Sequence, residues 1–117
     1  MNEITQLVDD YIAMWNETDT QKRQKLIARV WTADARYVDP RLKGEGYAGI
    51  DAMVKVVHDA YPGHRFRRTG AVDAHNDRIR FPWTLAPAEG PALVNGVDFA
   101  ELAGGKLAAV TGFFEAA

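Results

Sequence analysis

YVDPRLKGEGYAGIDAMVKVVHDAY, residues 37–61, decides how this chain is organised. It opens as a short strand in which alternation sets Tyr37 and Asp39 on one face and Val38 on the other. Pro40 removes a backbone donor and holds Asp39 in extended geometry, which fixes a carboxylate at the strand end. Gly44, Gly46 and Gly49 then turn the chain. Ile50, Met53, Val54, Val57 and Tyr61 recur at helical spacing until Pro62-Gly63 closes the helix. A carboxylate at a strand end, beside a helix with an apolar stripe, can line a pocket.

Upstream, Ile4, Leu7, Val8, Tyr11, Ile12 and Trp15 share one face of a helix expected over about residues 2–16. Asp19 or Thr20 can cap a second helix, polar at first and apolar at its end, where Leu26, Ile27, Val30 and Trp31 group on one side. Two readings stand for two of these aromatics. Tyr11 is either a core tyrosine bonded to backbone or a site residue, and Trp31 is either core or pocket wall. His58, beside the apolar stripe of the third helix, reads as a partly exposed structural residue.

From His64 onward the period changes to two. Phe66 to Ala74 forms one arm of a hairpin that turns at Asn76-Asp77, and Ile79, Phe81, Trp83 and Leu85 alternate along the other. Pro82 within that arm implies an edge position or a bulge. Strands are expected over about residues 92–102 and 107–114, so the late chain reads as a four-strand antiparallel meander. Three helices followed by such a sheet define an α+β chain in one domain, residues 1–117. A strongly curved, mostly antiparallel sheet wrapped round the helices would enclose a cavity, with Gly70, Gly96 and Gly112 at its bends.

Composition narrows the function. A formal net charge of −2 argues against a nucleic-acid or anionic-membrane footprint. The chain contains neither cysteine nor serine, which excludes disulfides, thiolate metal sites and both nucleophiles. His58, His64 and His75 lack metal-ligand spacing, and GEGYAG lacks the spacing of a phosphate loop. No cofactor and no metal is implied. No apolar run is long enough for a signal peptide or a spanning helix, so a cytoplasmic location is expected.

Asp98 is the second acid of interest. It alternates with Val94, Gly96, Ala100 and Leu102, and a carboxylate on that face must be paired or hold its proton. The opposite face, Leu93, Val97 and Phe99, is also apolar, and a slip of one residue inverts the assignment. Two carboxylates in unlike surroundings can divide acid and base roles.

YIAMWN, DARYVDP, GYAGIDAM, GVDFAEL and KLAAVTGFFE together resemble the SnoaL-like branch of the nuclear transport factor 2 superfamily. That is a cone-shaped, cystatin-like α+β barrel shared with ketosteroid isomerase, and the resemblance covers almost the whole chain. It implies Asp39 as general base, with Tyr11 and a protonated Asp98 as donors to an oxyanion. Trp15, Trp31, Tyr37, Met53, Val57, Phe66 and Trp83 are the expected wall for a small apolar, ring-containing molecule. The chain departs from the isomerase pattern in a longer first helical hairpin and in Val57, where an aromatic would support the tyrosine. The implied chemistry is cofactor-free proton transfer beside a carbonyl, as an isomerase or a polyketide cyclase performs it. The rival is a non-catalytic binding or dimerisation domain. The resemblance also implies a homodimer through the outer sheet face, which Leu93, Val97 and Phe99 would suit.

Overall fold

The polar break after Asn16 is where the chain reverses between two helices, α1 (Asn2–Asn16) and α2 (Thr20–Val30). Asp19 is the N-cap of α2. Its carboxylate accepts from the Lys22 N–H at 2.9 Å, satisfying a donor that the first helical turn leaves unpaired. The computed structural model describes residues 2–115.

Val8, Tyr11, Met14 and Trp15 form the buried face of α1, and Ile27 and Val30 that of α2. Arg23 is buried among them at 2% exposure. Its Nε donates to Asp51 at 2.6 Å and its Nη1 to the Glu17 carbonyl at 2.9 Å. One guanidinium therefore ties the turn between the first two helices to the third, α3 (Gly46–Ala60).

Trp31 does not end a helix. Its backbone is extended (φ −107°, ψ 152°), and it begins β1 (Trp31–Val38), so strand follows helix with no loop between. A bulge between Trp31 and Arg36 breaks the two-residue period, which is why alternation over residues 31–35 is hard to read. The glycine loop also holds a strand, β2 (Lys43–Glu45), antiparallel to β1 with Tyr37 opposite Gly44. Asp39 to Leu42 is the turn between them, closed by an Asp39 N–H bond to the Leu42 carbonyl at 2.9 Å.

The remaining strands are β3 (His64–Arg68), β4 (Asp73–His75), β5 (Arg78–Pro87), β6 (Val94–Ala103) and β7 (Lys106–Phe114). The sheet runs β2-β1-β7-β6-β5-β3, with β4 also on β5. Only β1 and β7 pair in parallel among the described residues. The α+β class and the curved, mostly antiparallel sheet are as the sequence indicated; the sheet is open, ending at β2 on one side and β3 on the other. The helices pack on its inner face, α3 against β1 and β2 and α1 against β3. No helix among the described residues is long and apolar enough to cross a membrane.

Pro82 lies in the interior strand β5, not at an edge. The expected first arm of the hairpin is divided, because residues 69–72 oppose only Phe81 and Pro82. The Thr69 N–H donates to the Pro82 carbonyl at 3.1 Å. A strand residue's N–H and C=O point the same way, so the donor that proline lacks would have faced this bulge. At the end of α1, the Asn16 amide bonds both backbone groups of Phe66 in β3. It donates to the carbonyl at 2.9 Å and accepts from the N–H at 2.8 Å.

Removing Arg23 leaves Asp51 and the Glu17 carbonyl without their partner. Arg23→Met is expected to lower the unfolding free energy by about 3 kcal/mol in urea titrations, with much of the loss recovered in Arg23→Met/Asp51→Leu. A loss below about 1 kcal/mol would show that the pair behaves as a solvated surface bridge.

Candidate functional site

Asp98 points inward from β6, with Phe81 of β5 and Gly112 of β7 as its cross-strand neighbours. At 2% exposure it shares the inner face with Gly96 and Ala100, while Asn95 and Phe99 are exposed on the other side. The Tyr11 hydroxyl donates to its Oδ2 at 2.7 Å and the Trp83 indole N–H to its Oδ1 at 2.9 Å. One carboxyl group therefore gathers α1, β5 and β6 at a point.

Two glycines make room for this arrangement. A Cβ at Gly96 would stand 2.3 Å from Cζ2 of Trp83, and one at Gly112 would stand 2.9 Å from Asp98 Oδ1 and 3.1 Å from the Tyr37 hydroxyl. Neither has positive φ. Their part is clearance for the Trp83 ring and for the two polar side chains, where the sequence suggested bends.

Asp39 stands at the end of β1. Its Oδ2 accepts from the Tyr37 hydroxyl at 2.6 Å, and its Oδ1 from the backbone N–H groups of Arg41 and Leu42 at 2.8 Å each. The side chain thus closes the turn that Pro40 begins. Three of its four lone-pair positions are occupied, and the vacant one is on Oδ2.

Burial pushes the Asp98 carboxyl up to about 7. The bonds from Tyr11 and Trp83 pull the other way, and the charge of Asp39 adds to the rise. Burial also raises Tyr11 and Tyr37 well above the ordinary phenol value, with Asp98 the next contributor to each. Both hydroxyls keep their protons and act as donors.

A cavity of about 280 Å³ opens beside this cluster. Trp15, Val56, Val57 and Ala60 line it from the helices, and Phe66, Trp83, Leu85, Val94 and Phe114 from the sheet. Its charged lining residues are Asp39 and Arg41. A void of about 10 Å³, near the size that holds one water, lies against Tyr11, Ile12 and Asp98. Trp15, Tyr37, Phe66 and Trp83 border both spaces.

The structure thus brings Asp39, Trp15, Tyr37, Val57, Phe66 and Trp83 to the cavity, while Tyr11 and Asp98 reach only the small void. Trp31 and Met53 line neither. Trp31 is wholly buried beside Tyr11 with its indole N–H unpartnered, and Met53 is turned into the core with Ile50 and Val54. Beyond the expected residues, Arg41, Leu42, Val56, Ala60, Tyr61, Leu85, Val94 and Phe114 line the cavity. Tyr61, Leu85 and Val94 belong to the periodic apolar sets, which mark burial but not a void. Among the described residues no group of three or more His, Asp or Glu is placed to hold a metal.

A fold and cavity of this kind place the chain among α+β proteins whose helices pack on a curved sheet beside a pocket. A family model for the SnoaL-like domain matches residues 8–110, and the chain belongs to that family. A proposed isomerase of the SnoaL-like family from Agrobacterium tumefaciens strain C58 is 35% identical, with a TM-score of 0.93 over 99% of this chain and 100% of that one. A proposed ketosteroid isomerase from Kribbella flavida is 20% identical, with a TM-score of 0.73 over 99% of this chain and 80% of that one. For a proposed polyketide cyclase from Sinorhizobium meliloti the identity is 13% and the TM-score 0.72, over 92% and 93% of the two chains. These last two show the fold alone. A comparison with curated proteins gave no significant match.

The raised Asp98 has a consequence for stability. Between its ordinary value of 3.8 and about 7, the folded chain holds a proton that the unfolded chain releases. Stability is therefore lost as pH rises through this window, by an amount on the order of 4 kcal/mol over the full shift. Asp98→Asn is expected to gain on wild type between pH 5 and pH 8 in guanidinium titrations. A difference that does not change with pH would show that Asp98 ionises as freely in the fold as outside it.

Proposed function

We propose that this protein binds a small apolar, carbonyl-containing molecule in the 280 Å³ cavity and moves a proton beside that carbonyl without a cofactor. One observation carries the reading. The cavity that holds Asp39 shares four aromatic walls with a water-sized void against Tyr11 and Asp98. A ligand carbonyl oxygen is about the size of that void, and a ring attached to it would fill the apolar cavity.

In this reading Asp39 removes the α-proton through the vacant position on Oδ2. Once Oδ2 carries a proton, it no longer needs the Tyr37 hydroxyl, which turns to the developing enolate oxygen. Protonated Asp98, steadied by Trp83 and Tyr11, is the second donor. Asp98 is in place before the charge appears, and Tyr37 joins it as the proton moves, so both donors meet the charge where it develops. Isomerisation of a double bond and an intramolecular aldol closure both begin from this enolate. The neutral form of Asp98 is the useful one, so turnover falls as pH rises past about 7.

Proton exchange into heavy water, followed by NMR over a panel of cyclic and unsaturated ketones, tests the base directly. Asp39→Asn keeps the shape of the turn and is expected to slow exchange about 100-fold or more. The second reading is a binding domain without turnover. It is favoured by the three donors on Asp39 and by the mutual bond of Tyr11 and Asp98. Ketone binding with no Asp39-dependent exchange would select it.

We also propose a homodimer through the outer sheet face. There Phe99 and Phe113 stack edge to face at 5.7 Å while 41% and 53% exposed, with Val97 on the same face. Phe113→Lys is expected to convert a species of twice the chain mass to the single chain in sedimentation velocity. Wild type sedimenting as one chain would remove the proposal.

A further inference from the structure

Arg41 is exposed yet lines the cavity, so it stands where the cavity meets solvent. Its Nη1 donates to the Tyr61 hydroxyl at 3.2 Å, and its guanidinium carbon lies 6.0 Å from the centre of the Phe114 ring. Both aromatics line the cavity as well. The guanidinium is held between two walls of the opening.

This cation has no carboxylate partner among the described residues. The ion pairs there engage Arg23, Arg29, Lys55, Arg68, Arg78 and Arg80. Asp39, two residues away, bonds the backbone N–H of Arg41 rather than its side chain. Of the guanidinium's five N–H groups, one is committed to Tyr61, and those remaining include pairs that fit a planar two-oxygen anion.

We propose that Arg41 clamps a carboxylate of the ligand at the mouth of the cavity. This rests on the cavity reading above and narrows its substrate class to keto acids, an apolar body with the reacting carbonyl at one end and a carboxylate at the other. The two charges then orient the ligand. Asp39 repels the carboxylate and Arg41 attracts it at the mouth, so the carbonyl enters first. A neutral ketone of the same shape lacks this guide.

The test uses 3-(4-acetylphenyl)propanoate and its methyl ester, which share the ketone and differ in charge. Binding is followed by quenching of the cavity tryptophans, Trp15 and Trp83, in the intact protein. Wild type is expected to bind the acid about tenfold tighter than the ester, the scale of one charge-assisted contact at a half-exposed site. That ratio should shrink with added salt and fall to about one in Arg41→Gln and in Arg41→Met, which keeps the apolar stem over the opening. Arg41→Lys should keep part of it.

Equal binding of acid and ester by wild type, an unchanged ratio in Arg41→Gln, or no binding of either probe would each overturn the proposal. Deuterium exchange at the ketone α-carbon separates it from the proton-transfer reading. A ratio that depends on Arg41 without exchange that depends on Asp39 keeps the clamp and removes the base. Exchange that depends on Asp39 with no preference for the acid does the reverse.

Discussion

A carboxyl group buried in an aromatic core is the constraint on which the rest of this structure depends. Asp98 cannot be inside without donors, and the donors come from distant parts of the chain, Tyr11 in α1 and Trp83 in β5. Meeting that demand fixes how the first helix lies across the sheet. It also dictates what stands beside the carboxyl: Gly96 must be bare for the Trp83 ring and Gly112 bare for Asp98 and Tyr37. Stacking then continues outward through Trp15, Phe66 and Phe114, whose rings meet their neighbours at angles between 50° and 85°. A buried network is stable only when every member is satisfied. Among the described residues the one buried side-chain polar atom without a partner is the indole N–H of Trp31, outside the network.

The same constraint explains why the cavity exists. Rigid aromatic rings that are oriented by hydrogen bonds cannot collapse to fill space as aliphatic chains do. On the helix side, Val56, Val57 and Ala60 are too short to reach across. Away from the cavity, the buried Arg23 ties α2 to α3 through Asp51.

Local pattern made much of this legible. Helical spacing found the buried faces of α1 and α3, and alternation found Ile79, Phe81, Trp83 and Leu85, all of which are buried. Asp39 followed by proline marked a strand end correctly because both residues act on their own backbone. What stayed hidden was decided by contacts far apart in sequence. Both faces of β6 are apolar, so only packing could say which one Asp98 shares. Strand β2 has three residues, one of them glycine, and leaves no period to detect. Trp31 looked like the end of a helix because an apolar residue one turn after Ile27 fits a helix as well as it fits the start of a buried strand. Arg41 had no pattern at all; it reaches the cavity only because the Asp39 turn folds its backbone back.

The Asn16 amide has an effect beyond joining a helix to a strand. By bonding both backbone groups of Phe66, it occupies the positions that another strand would need at that border of the sheet. The opposite border, β2, offers only three residues and is flanked by the entry to α3. Long, flat borders with free donors and acceptors are templates for uncontrolled strand addition, and this sheet presents neither. A misplaced chain finds only short stretches of backbone along which to align.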